Sequence, residues 1–278
     1  MEVETKKTQY LNDVRDIICD IDHKFKEPEI DCDGYLSQRA NIKHLFELFN
    51  GEFTISSITI QLTVIDSLYS TNARYAHFSI DELAKKLYSF DTEEALSEYF
   101  YSLVNGHKDD KKIFKNNYGI RTNGDKGARL TSLISKYAYY LLKQNPNKYP
   151  LGFPIYDSLV VEMYPKVYEL LFSDNEGTSK YKMQMSIESF IDAINKVREK
   201  IFDFTPPKKI ESQQFDLLDA YFWRMGKINR GNYTLLLNRK DYEVIARLKK
   251  EEITEATLKK IENELFVKIF KHWETFFK

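Results

Sequence analysis

Two residues of opposite charge, Lys136 and Asp157, are the strongest candidates in this sequence for a catalytic pair. Lys136 falls off the apolar stripe of a predicted helix, whose apolar residues recur at helical spacing from Leu130 to Leu142. Asp157 follows a proline-bounded turn, 149–154, at a position suited to cap the next helix. The two residues are 21 positions apart, which is enough chain to fold two helices side by side. The alternatives are a surface lysine on the polar helix face and a simple helix cap.

Positive charge is concentrated around this pair. Residues 105–150 carry 10 basic and 3 acidic residues, a net +7, whereas residues 1–104 have a net −9 and residues 151–278 a net +1. Tyrosines are interleaved with these basic residues, which is typical of nucleic-acid contact. The pattern therefore predicts a positive surface near a phosphate backbone. A lysine-rich, solvated loop is the alternative interpretation.

The composition excludes several classes of protein. The 278 residues suffice for a large core, and 10 Gly with 7 Pro argue against a turn-rich β fold. No apolar run approaches the roughly 20 residues of a membrane span, and the charged N-terminus lacks a signal core, so we expect a cytoplasmic protein without a membrane partner. Two cysteines and five histidines show no metal spacing, and no nucleotide-binding glycine motif occurs. We therefore expect neither a metal nor a cofactor.

Helical periodicity dominates the rest of the chain, and the predicted fold class is mainly α. We expect a single two-lobed helical bundle over residues 1–278, with a cleft between the lobes and an N-terminal helical extension over 1–38. One short strand is predicted near 233–237. Gly226 is expected to end the helix that begins at Phe215, and the last helix to run unbroken from Thr254 to Phe276. The polar region 104–128 is predicted to be a loop.

The order of these elements resembles the helix-hairpin-helix DNA glycosylases, most nearly the 8-oxoguanine DNA glycosylase branch and its bacterial relatives. The similarity rests on an apolar helix ending in Ser70-Thr71-Asn72, a Ser-Lys pair on a later helix, and Pro-Ile-Tyr-Asp-Ser at 154–158. It covers residues 45–225, the glycosylase-like core. The resemblance implies that Lys136 is the catalytic nucleophile and Asp157 the catalytic carboxylate. It also implies that Ser70, Thr71 and Asn72 probe the opposite DNA strand.

One departure from the family concerns the hairpin itself. The family has a Gly-hydrophobic-Gly turn whose backbone N–H groups bind a DNA phosphate. This chain has Thr131-Ser132-Leu133-Ile134-Ser135 there, so the hairpin is either altered or missing. We expect the hydroxyls of Ser132 and Ser135, together with Arg121 and Arg129 of the basic block, to contact nucleic acid instead.

The resemblance implies a DNA glycosylase, with AP-lyase activity as a second step, that excises a modified or damaged base from double-stranded DNA. Such an enzyme flips its target base out of the duplex. A lysine nucleophile must be unprotonated, so its pKa must be lowered, and the carboxylate stabilises the cationic sugar. The alternative is a non-catalytic module on the same helical fold that binds nucleic acid or a protein partner.

Overall fold

The computed structural model describes residues 2–26, 35–69, 80–114, 130–172, 186–206, 209–237, 253–261 and 264–278. Most of these residues are helical and none forms a strand, so the prediction of a mainly α fold is confirmed. The helices are α1 (Glu2–Lys26), α2 (Tyr35–Leu48), α3 (Ile55–Tyr69), α4 (Ile80–Tyr88), α5 (Glu93–Val104), α6 (Thr131–Lys143), α7 (Ser158–Phe172), α8 (Ile187–Phe202), α9 (Gln214–Asn229), a 3-10 helix (Tyr233–Leu236), α10 (Glu255–Leu258) and α11 (Glu264–Phe277). Within these residues, no helix has both the length and the apolar character that a membrane span requires.

The helices pack as two sets that share one core. Helices α2 to α6 pack mainly against one another, with α3 in contact with α2, α4 and α6. Helices α7, α8, α9 and α11 form the second set, and α1 packs against all four of them. The buried face of α1, with Tyr10, Val14 and Ile18 fully inaccessible, is therefore part of the core.

Helix α6 is the central helix of the first set. Its apolar stripe is buried as predicted, but Ser135, Lys136 and Tyr139, which were expected on a polar face, are buried as well. The reason is that α2, α3 and α5 all pack against α6, while Tyr139 reaches Asp216 on α9. An apolar stripe predicts one buried and one solvent-facing side, and this prediction fails for a helix that is enclosed by its neighbours.

Three local predictions differ from the structure. Residues 233–237, predicted as a strand, contain a 3-10 helix, and no partner strand exists among the described residues. The last helix is interrupted: Thr254 caps α10 by accepting from the Thr257 N–H, and the chain then turns before α11. Helix α5 was not predicted, although Thr92 accepts a hydrogen bond from the Ala95 N–H, as an N-cap residue does.

Candidate active site

Lys136 and Asp157 lie together at the junction of the two sets of helices. The Lys136 Nζ is 3.7 Å from the Asp157 Oδ2, which joins α6 of the first set to the start of α7 in the second. The lysine side chain is 2% exposed and the aspartate side chain 20%. The lysine thus approaches the carboxylate from within the core, while Asp157 keeps access to the outside.

The surroundings of Lys136 favour the neutral amine more than water does. Burial lowers the pKa of the Lys136 amine, and the charges of Asp157 and Asp219 oppose this change. The amine also donates a 2.8 Å hydrogen bond to the Ser132 Oγ, one turn earlier on α6. The ring of Tyr69 lies 5.0 Å from the nitrogen and covers its remaining side. These contacts hold a desolvated nitrogen in one position.

Asp157 uses its two carboxylate oxygens for different purposes. Its Oδ1 accepts hydrogen bonds from the backbone N–H groups of Leu159 and Val160, at 2.9 and 3.0 Å, and so caps α7. Its Oδ2 faces Lys136. These two hydrogen bonds fix the position of the carboxylate at the N-terminal end of α7. The predicted cap is therefore present, and the second carboxylate oxygen pairs with the Lys136 amine.

Gly226 lies where α9 packs closely against the first turn of α7, next to the Asp157 cap. Contrary to the prediction, Gly226 does not end α9, which continues to Asn229. A Cβ atom at this position would lie 2.8 Å from the Leu159 Cδ2. Glycine is needed here because the first turn of α7, which carries Asp157, packs directly on the backbone of α9.

Asp219 on α9 adds a second carboxyl group to the site. Burial raises the pKa of Asp219 to about 7, the charge of Arg39 opposes the rise, and the charge of Asp157 adds to it. The Arg39 Nη1 is 3.6 Å from the Asp219 Oδ2. A carboxyl group with this pKa exchanges its proton near neutral pH, next to an amine and a carboxylate. The sequence analysis assigned no role to Asp219.

A buried ionic network lies behind the site and joins the two sets of helices. Arg39 on α2 and Lys143 on α6 both approach Asp216 on α9, each at 2.5 Å, and the Tyr139 hydroxyl donates to Asp216 at 2.7 Å. Burial alone would raise the pKa of Asp216, but the two cations lower it, and burial lowers the pKa of Lys143 to about 8. Sequence reasoning missed this network. The signal in the sequence was two acids, Asp216 and Asp219, three positions apart within a mainly apolar segment from Phe215 to Phe222.

The other predicted site residues have different placements. Ser132 binds the Lys136 amine, and the fully buried Ser135 accepts a 3.0 Å hydrogen bond from the Tyr156 N–H through its hydroxyl. Both serines thus organise the α6–α7 junction in this conformation. The remaining predicted nucleic-acid contacts lie outside the described residues: Ser70, Thr71, Asn72, Arg121 and Arg129.

The described part of the basic block is partly neutralised by internal ion pairs. Lys136 and Lys143 are paired as above, and Lys148 lies 2.7 Å from both Glu94 and Glu98. Lys108, Lys111 and Lys112 are exposed. The predicted positive surface thus depends on these three lysines and on residues 115–129, which lie outside the described residues. In the part of the chain that the structure describes, no group of three His, Cys, Asp or Glu residues is arranged to hold a metal ion.

Comparison with known proteins yields one similarity. Residues 9–146 match a family model, HI_0787_N, which is described as an N-terminal domain. The match covers just under half of the 278 residues. No curated protein and no solved structure matches the chain. The matched region contains α6 with Lys136 and ends before Asp157, so the two residues of the candidate pair lie on opposite sides of its boundary.

Proposed function

We propose that this chain is a DNA glycosylase with AP-lyase activity, acting on a modified or damaged base in double-stranded DNA. The observation that supports this most is the placement of a buried amine, with a lowered pKa, 3.7 Å from a carboxylate that caps a helix. An ordinary surface ion pair needs neither the burial nor the cap. A nucleophilic lysine next to a sugar-stabilising carboxylate needs both.

The chemistry follows from the two groups. The neutral Lys136 amine attacks C1′ of the flipped nucleotide, and the N-glycosidic bond breaks with its electron pair leaving on the base, which takes up a proton. Asp157 stabilises the positive charge that develops on the sugar. Ring opening then yields a Schiff base between Lys136 and C1′, and loss of the C2′ proton eliminates the 3′ phosphate and cleaves the strand.

Access to the amine requires a movement. Lys136 is 2% exposed, and Tyr69, the last residue of α3, lies against its amine. The Tyr69 hydroxyl is 2.5 Å from the Tyr140 hydroxyl, so a hydrogen bond to α6 holds the ring in place. Binding of a flipped nucleotide must displace this ring. Ser70, which the resemblance assigns to the opposite strand, follows Tyr69 directly in the chain.

Borohydride trapping tests the proposal. The protein is incubated with duplexes that contain an abasic site or an oxidised base, and borohydride reduces any Schiff base to a stable covalent adduct. We expect an adduct with the wild type and none with Lys136→Gln. Lys143→Gln is the matched control, because Lys143 is on the same helix and also has a lowered pKa beside an aspartate. Circular dichroism establishes that both variants are folded.

A non-catalytic module that binds nucleic acid or a protein partner is the second candidate function. It is favoured by the closed state of the site and by the internal pairing of Lys136, Lys143 and Lys148. If duplex DNA binds but no substrate yields an adduct, this second function replaces the first.

A further inference from the structure

Helix α9 carries a line of residues from the candidate site to the surface. Asp219, Trp223 and Lys227 are spaced four residues apart and so occupy one face of the helix. Asp219 is buried beside the site, whereas Trp223 and Lys227 are half-buried. The Lys227 Nζ lies 5.2 Å from the centre of the Trp223 ring, so a cation–π contact with the indole helps to position the ammonium.

Lys227 is within electrostatic reach of the candidate site. Burial lowers the pKa of Lys227, the positive charge of Arg230 lowers it further, and the negative charge of Asp157 opposes the change. Gly226, which precedes Lys227, packs against Leu159, and the Arg230 Nη2 donates a 3.4 Å hydrogen bond to the Ser158 carbonyl oxygen. These contacts place this end of α9 beside the N-terminal end of α7, which Asp157 caps.

The neighbouring cations are already engaged, whereas Lys227 is not. Arg230 binds Glu162 at 2.7 Å, and Lys166 donates to the Asn229 Oδ1 at 2.8 Å. Lys227 makes no ion pair with a carboxylate among the residues that the structure describes. A half-buried ammonium next to a second cation, with no acid of its own, is destabilised by desolvation and repulsion. An anionic ligand relieves both effects.

The geometry points to Lys227 as the residue that binds a phosphodiester group flanking the nucleotide at Lys136. This inference rests on the proposed function, because a sugar placed at Lys136 carries a phosphate on each side. One flanking phosphate near Asp157 repels that carboxylate, and Lys227 supplies the compensating charge. Trp223 keeps the ammonium in place, and Arg230 is held away by Glu162.

A thermodynamic cycle between Lys227 and the phosphate tests this inference. The ligand is a duplex with an uncleavable abasic-site analogue, in which each flanking phosphate is replaced in turn by an uncharged methylphosphonate. For one of the two positions, we expect the wild type to lose about fivefold in affinity and Lys227→Gln to lose nothing further. Lys227→Arg is expected to lose affinity on this replacement as the wild type does, because arginine keeps the positive charge. Lys260→Gln, which removes an exposed lysine on the turn after α10, behaves like the wild type.

Salt dependence provides a second measurement. Lys227→Gln is expected to reduce the slope of log affinity against log salt by about 0.9, the value for one lost phosphate contact in duplex DNA. If methylphosphonate substitution lowers affinity equally in the wild type and in Lys227→Gln while an adduct still forms at Lys136, the role of Lys227 is overturned and the proposed function is not. If the wild type neither binds the duplex nor forms an adduct, the proposed function and this inference are both overturned.

Discussion

The raised pKa of Asp219 predicts how the stability of this fold depends on pH. The ordinary pKa is 3.8 and the folded value is about 7, because burial penalises the charged carboxylate. Between these values the folded protein holds a proton that the unfolded chain has released. The stability that Asp219 contributes is therefore greatest below pH 4, falls as the pH rises, and is constant again above pH 7. A difference of about 3 pH units corresponds to about 4 kcal/mol.

The substitution Asp219→Asn isolates this effect. Asparagine cannot ionise, and Arg39 keeps its 2.5 Å contact with Asp216. The free energy of unfolding of each protein is measured by urea titration at pH 4, 5, 6, 7 and 8. We expect the wild type to lose stability relative to Asp219→Asn by about 1.4 kcal/mol per pH unit between pH 4 and 7. Titrating groups that are distant from Asp219 are shared by the two proteins, so their contributions cancel in the difference. A difference that is constant with pH, or that grows in favour of the wild type, would refute the reasoning.

Three further predictions concern the site and its support. Lys136→Gln is expected to abolish strand cleavage while duplex affinity changes less than twofold, since one buried amine adds little to a multi-contact interface. Nicking assays measure the cleavage and gel shifts measure the affinity. Cleavage by this variant would contradict the lyase step. Asp157→Asn should slow base excision by about 10²- to 10³-fold while α7 stays capped, because asparagine caps as well as aspartate. Single-turnover kinetics decide this, and an unaltered rate removes the carboxylate from the mechanism. Gly226→Ala should cost about 1–3 kcal/mol in chemical denaturation, because its Cβ meets Leu159 at 2.8 Å; an unchanged midpoint would show that α7 and α9 separate freely.

The sequence predicted the helices whose apolar spacing reflects a single buried face. The apolar residues Val14, Ile18 and Ile21 of α1 and Ile187, Ile191 and Ile194 of α8 recur at helical spacing in the sequence and are buried in the structure. Asp157 was also predictable as a cap, since capping depends on local backbone geometry and a short polar side chain. These predictions succeed because the forces that decide them act over one or two helical turns.

Contacts between distant segments could not be predicted in the same way. Arg39 pairs with Asp216 across 177 positions of the chain, and nothing in the local sequence around Arg39 indicates burial. Lys136 was expected on a polar face, yet its side chain is buried between Tyr69 of α3 and the Asp157 cap of α7. Gly226 resembled a helix end, because the sequence does not reveal that Leu159 lies against it. Each error concerns tertiary packing, which overrides local patterns.

The identity of the residue that carries the trapped sugar tests the central claim most directly. After incubation with abasic duplex DNA and borohydride, the adduct is digested with nuclease and protease, and mass spectrometry locates the modified amine. The proposal that Lys136 is the nucleophile predicts the added mass on the peptide that contains Lys136. A modification found only on another lysine, or on the N-terminal amine, would contradict it.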